Sequence, residues 1–157
     1  MFFLIFYLFF LCGCNEKNNK LVIEMEKTYC EKFYEVTRIL ENTNDYSEEI
    51  IKYYNSEKTL EKIIDLEKYG EYMLKKLENT ENDILNYSQW KIYIESNQEE
   101  LEALCNFSKK CFDRGMYFDY IPTRDDLTIE EITIHLNLKS RSEGAKERVE
   151  QIKQSTR

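Results

Sequence analysis

The sequence predicts an all-α protein: an antiparallel bundle of three to four long helices, with a short aromatic connector and a frayed polar C-terminus. Three observations predict it. One Pro and four Gly in 157 residues leave little material for tight turns. Apolar residues recur at spacings of three and four over long stretches, the period of one helix face. Clusters of Asn, Asp, Thr and Ser interrupt those stretches, and such side chains compete for backbone hydrogen bonds and favour turns. Short polar connections then fold consecutive helices back on each other.

The first helix carries Val22, Met25, Tyr29, Phe33, Val36 and Leu40 on one stripe and ends at Asn42-Thr43-Asn44-Asp45. The second begins near Ser47 and pauses at Asn55-Ser56. Its expected apolar face is Leu60, Ile63, Ile64, Gly70, Met73, Leu74 and Leu77. Gly70 on that stripe either admits a neighbouring helix closely or is a weak point costing about 1 kcal/mol against Ala. Asn79 to Asp83 breaks the pattern, with Thr80 and Asp83 suited to start the next helix.

That helix carries Ile84, Leu85, Trp90, Ile92 and Ile94, then Leu101, Leu104, Cys105, Ser108, Cys111 and Phe112. Ser96 and Glu99 match a capping box, which either starts a new helix or lies inside a continuous one. Arg114-Gly115 reads as a helix stop. Met116 to Pro122, "MYFDYIP", has no helical period and reads as an extended connector packed on the bundle. Thr128 and Glu131 form a second capping box, opening a helix with Ile129, Ile132 and Leu136. From Lys139 onward the chain is polar, and fraying is expected.

Composition narrows the function. The formal charge is −8 with a pI near 4.9, which disfavours nucleic acid, whose binding needs a basic face. Anionic lipid surfaces are disfavoured for the same reason.

The N-terminus is the most specific stretch. Phe2 to Cys12 is apolar throughout, too short for the roughly twenty residues that span a bilayer and suited to the core of a signal peptide. It ends in Leu11-Cys12-Gly13-Cys14, which resembles the lipobox of bacterial lipoproteins: Leu, a small residue, Gly, then Cys. The resemblance covers residues 1–14. It implies that Cys14 is diacylglycerol-modified, that residues 1–13 are removed, and that the membrane is reached through covalent lipid, often with further acylation such as palmitate. Two or three acyl chains anchor a protein durably where one does not. Residues 14–20 would then be the lipidated Cys and a polar tether, 21–138 the helical bundle and 139–157 a polar extension. By the same resemblance, Asn15 in place of Asp favours the outer membrane or cell surface.

Export permits disulfides. Cys105 and Cys111 cannot pair within one helix, because six residues separate them by about 9 Å along its axis. Either is free to reach Cys30, and three buried thiols are the plainer alternative. His135 is the only His, and Cys-x5-Cys is not a zinc spacing, so no metal or other cofactor is expected. No catalytic motif is present. Asp113, Asp119, Asp125 and Asp126 offer a carboxylate cluster, with a solvated acidic loop as the simpler reading. The twelve Tyr suit interfaces, since the ring is apolar and the tip polar, although biased composition also explains them. Tyr117, Phe118, Asp119 and Tyr120 are the candidate partner-binding patch.

These observations predict a non-enzymatic, lipid-anchored helical protein of the bacterial cell envelope that binds a protein partner. An immunity or exclusion lipoprotein acting on an incoming toxin or phage, and a self-associating structural envelope protein, are the alternatives.

Overall fold

A computed structural model describes residues 16–41, 47–79 and 84–155. The apolar leader with its lipobox-like Cys14, the turn at Asn42 to Asp45, and the start signals Thr80 and Asp83 lie outside the described residues. Those described are all-α: α1 (Glu16–Thr37), α2 (Glu48–Tyr54), α3 (Glu57–Glu78), α4 (Ile84–Phe118) and α5 (Ile129–Ser155), with 3-10 turns at Arg38–Leu40 and Arg124–Asp126. No helix among the described residues is long and apolar enough to cross a membrane. Residues 16–20, expected within the tether, belong to α1.

α1 buries the stripe its spacing predicts, with Met25, Tyr29, Phe33, Val36 and Leu40 nearly inaccessible. The pause at Asn55-Ser56 is a real break. Asn55 ends α2, and the Ser56 hydroxyl accepts from the Thr59 N–H to start α3. Ser47 caps α2 in the same way through Ile50 N–H.

Helix α3 buries most of the face expected of it, with Ile63 and Leu74 half-buried, but its first turns depart from that face. Thr59, Leu66, Gly70, Met73 and Leu77 are buried, whereas Leu60 and Ile64 are about half exposed. With half-buried Ile63, the inward positions run 59, 63, 66, 70, 73, 77, a regular helical face that Thr59 and Gly70 disguise. Gly70 is where α3 meets its neighbours. A Cβ there would lie 2.8 Å from Ile94 Cγ2 and 3.5 Å from the Tyr29 ring.

Ser96 to Glu99 lies inside α4, which is continuous for 35 residues. Ile92 points outward, and Asn97 is fully buried instead. The expected fraying after Lys139 does not occur, because α5 runs to Ser155. His135, Leu138, Ser142, Ala145, Val149 and Ile152 face inward at spacings of three and four. Half of that face is small or polar, so its periodicity is invisible to an apolar count. Ile129 and Leu136 are exposed.

Interhelix pairs fix how the helices run. Lys32 pairs with Asp65 and Glu35 with Lys62 (2.6 Å), so contacts descend along α3 as they ascend along α1. Arg141, Asn137 and Glu131 of α5 meet Asn97, Glu100 and Lys110 of α4 in the same reversed order. Glu26 of α1 holds Arg148 of α5 through both carboxylate oxygens, at 2.5 and 3.0 Å.

At the centre a polar network crosses three helices. Asn97 donates to the Tyr29 hydroxyl at 3.3 Å and accepts from Arg141 at 2.6 Å. Arg141 also donates to Ser96 Oγ at 2.9 Å and lies 3.4 Å from Glu100. Around it Tyr29, Trp90 and Tyr93 pack edge to face. Burial pushes the Tyr29 and Tyr93 hydroxyls far up, so both stay protonated donors or acceptors.

Two predictions follow from this packing. Gly70→Ala should lower stability by about 1 kcal/mol, because overpacking against the β-branched Ile94 outweighs the gain in helix propensity. In an Ile94→Ala background the same change should stabilise, which urea denaturation of the four variants will read as a coupling. The second concerns pH. Burial raises the Glu100 carboxyl above its ordinary range, against the pull of Arg141 and the Asn137 hydrogen bond. The folded state therefore favours the protonated form, and that contribution fades as pH rises through the folded value. Glu100→Gln should accordingly gain stability relative to the parent as pH rises above the ordinary carboxylate value of about 4, measured by denaturation at each pH.

Candidate partner-binding end of the bundle

Helix α4 does not stop at Arg114-Gly115. It runs to Phe118, and Asp119 closes it in the left-handed region at φ 49°. Gly115 has a different task. A Cβ there would lie 2.8 Å from the Tyr120 carbonyl oxygen, so only a bare position lets the chain fold back across the last turn. The connector is thus shorter than expected, and Met116, Tyr117 and Phe118 belong to the helix.

Two reciprocal caps then set the path into α5. Asp126 accepts from the Thr123 N–H (2.7 Å) and hydroxyl (2.9 Å), which hold its carboxyl below the ordinary range. Glu131 accepts from the Thr128 N–H (2.8 Å), and the Thr128 hydroxyl accepts from the Glu131 N–H (3.2 Å). The second pair is the capping box the sequence predicts. Glu131 is also 3.5 Å from Lys110 of α4, which ties the reversal to the helix it leaves. Arg114 lies over the Tyr120 ring, 6.0 Å from its centre.

The four predicted patch residues are therefore divided. Tyr117 and Phe118 project outward, 82% and 81% exposed, with ring centres 6.4 Å apart. Tyr120 folds inward, half-buried against the core, and its hydroxyl is raised by burial and by Asp126. Asp119 and Tyr120 line a groove of about 300 Å³ with Ile51, Cys111, Phe112 and Met116. That volume lies at the lower end of the range that encloses a small ligand, so a side chain of a larger partner fits it better.

Sequence reasoning missed the rest of the surface. Met116, Ile121 and Ile129 are 72%, 65% and 84% exposed. With Phe112, Tyr117 and Phe118 they give the end of α4 and the start of α5 an apolar character unusual for an exposed site. Ile129, which follows the capping box, lies on the outer side of α5.

The other candidate residues do not join this site. Cys30, Cys105 and Cys111 are separate free thiols, so the bridge to Cys30 is not formed. Cys30 sits beside Tyr93, close enough to raise its hydroxyl, and Cys105 is twelve residues further along α4, about 18 Å, beyond the roughly 7 Å between bridged Cα atoms. Burial pushes Cys105 and Cys111 up to about 11 and Cys30 higher still. All three are protonated at neutral pH. Asp113, Asp119 and Asp125 are exposed, while Asp126 serves as a cap. Among the described residues no cluster of His, Cys, Asp and Glu is arranged to hold a metal, and His135 is buried in the α5 face.

Most of the Tyr residues serve the core. Tyr29 and Tyr54 are fully buried, and Tyr34, Tyr53, Tyr69, Tyr87 and Tyr93 pack against them and their neighbours. Among the described residues Tyr72 and Tyr117 are the exposed ones. No protein-family model, curated protein or solved structure matches the chain.

Substitutions at the reversal test this geometry. Gly115→Ala should destabilise by about 1–3 kcal/mol, because the atom it meets is backbone and cannot swing away. Asp119→Gly should stabilise by about 0.5–1 kcal/mol through relief of the left-handed backbone. Thermal or urea denaturation will show both.

Proposed function

We propose that the chain is a lipid-anchored, non-enzymatic protein of the bacterial cell envelope that binds another protein through the exposed end of α4. The single observation that carries partner binding is the outward projection of Met116, Tyr117, Phe118, Ile121 and Ile129 from a rigidly capped reversal. Large aromatic and Met side chains held on fixed backbone make good interface anchors, since little freedom remains to be lost.

The anchor rests on Leu11-Cys12-Gly13-Cys14. Given that anchor, the two ends of the molecule have separate tasks. α5 runs opposite to α4. Its contacts also descend as α1 ascends, from Arg148 on Glu26 to Arg141 on the Tyr29–Asn97 pair. α1 and α4 therefore run the same way, with Tyr29 and Asn97 at one level. From that level α4 continues twenty-one residues to Phe118, about 32 Å, and α1 extends thirteen residues back to Glu16, about 20 Å the other way. The aromatic end thus stands clear of the lipid headgroups, facing outward from the outer membrane or cell surface.

An immunity or exclusion role, with a toxin or phage protein as partner, is the second reading. The acidic side chains around the groove favour it.

The test has two parts. The intact mass of the protein recovered from its native membrane should match a chain beginning at Cys14 plus acyl groups, and Cys14→Ala should lose both changes. A mass that retains Met1 to Gly13 overturns the anchor. A photocrosslinker in place of Tyr117 should capture an extracytoplasmic protein that one in place of Glu71, on exposed α3, does not.

A further inference from the structure

The charges around the aromatic end decide what kind of surface it receives. The two charged residues that line the groove, Glu48 and Asp119, are both carboxylates. From Asp113 to Glu130 the chain carries five carboxylates against two guanidinium groups. One of those two, Arg114, is laid over Tyr120. Of the nearby cations, Lys110 is engaged with Glu131 and Lys52 with Glu48, while Lys109 and Arg124 are exposed and too few to balance the carboxylates. Among the described residues Asp113, Asp119, Asp125 and Glu130 are exposed and form no ion pair. Uncompensated negative charge therefore borders apolar side chains that nothing covers.

Three occupants fit this surface poorly. A second copy would set carboxylates against carboxylates, and like charges across an interface select against the pairing. Anionic lipid is repelled for the same reason. The chain's own basic stretch after Lys139 is held along α1, with Arg148 on Glu26 and Lys146 on Glu41. A foreign protein surface with an apolar centre and a cationic border complements both features at once.

We infer that the end of α4 is a docking surface for a protein partner that presents an apolar segment bordered by lysine or arginine, with Phe118, Tyr117 and Met116 as apolar anchors and Asp119, Asp113 and Asp125 as the acidic border. This rests on the partner-binding reading above and adds the partner's chemistry. Association with such a surface is steered by charge and held by apolar contact, so salt acts mainly on its rate of formation.

The test uses the full chain in phosphatidylcholine nanodiscs and two fluorescent synthetic helices with the same leucine face, one bordered by lysine and one by glutamate. Empty nanodiscs give the lipid background. The lysine-bordered helix should bind at least about tenfold more tightly by anisotropy, and less so at high salt. Phe118→Ser, which leaves the charge unchanged, should weaken it about tenfold or more. Asp119→Asn should weaken it too, with the circular dichroism of both variants unaltered. Equal binding of the two helices overturns the inference. So does binding of the lysine-bordered helix that Phe118→Ser leaves intact, since the general acidity of the protein would then explain it. A concentration-dependent mass abolished by Phe118→Ser overturns it in favour of a second copy. Photocrosslinks from position 117 to an envelope protein, with the two helices bound alike, leave partner binding standing and overturn the basic border alone.

Discussion

The close approach of α3 to α4 at Gly70 is the constraint on which the rest of the bundle is built. Ile94 fills the space that a side chain at position 70 would take, and Tyr29 lies against the same point. Three helices are therefore fixed at one level by a residue with nothing to offer but its absence. Tyr29 then reaches Asn97, and Asn97 holds Arg141, which brings α5 to the same level. Trp90 and Tyr93 seal the site with edge-to-face contacts. A bare backbone position thus sets the spacing around which large aromatic rings are packed.

The polar network beside it matters more for register than for stability. Each of its hydrogen bonds contributes about 1 kcal/mol net, but leaving a buried partner unpaired costs more. Sliding α5 by one turn would strand Asn97, Glu100 and Arg141 together. The Glu26–Arg148 pair imposes the same condition near the other end of α5. These contacts explain why a stretch as polar as residues 139–155 remains helical: its inward face is continuous, with small Ser142 and Ala145 and apolar Val149 and Ile152 buried, and its cations find fixed partners.

The sequence made the helical class, the α1 stripe, the break at Asn55-Ser56 and the Thr128 cap legible, because each depends on local chemistry. It misled where a core position is not apolar. Thr59, Asn97, His135 and Ser142 are buried, while Leu60, Ile64, Ile92 and Ile129 are not. An apolar count reads the second group as core and passes over the first. Gly115 was read as a stop because a Gly after Arg is a common ending, and the true reason for it, the return of Tyr120, depends on where the chain goes next. At the aromatic end the composition of "MYFDYIP" drew attention to the right stretch, but not to which side chains turn outward. That depends on Asp119 ending the helix one residue after Phe118.

Tyr117 and Phe118 have one more property. Their rings are mostly exposed, whereas the reversal that carries them is held by Gly115, Thr123, Asp126, Thr128 and Glu131. Asp119 apart, which both ends the helix and borders the groove, the residues that would recognise and the residues that fold are separate sets. The rings at the tip can therefore be exchanged with little penalty to the fold, so the specificity of this end and the stability of the bundle beneath can be altered separately.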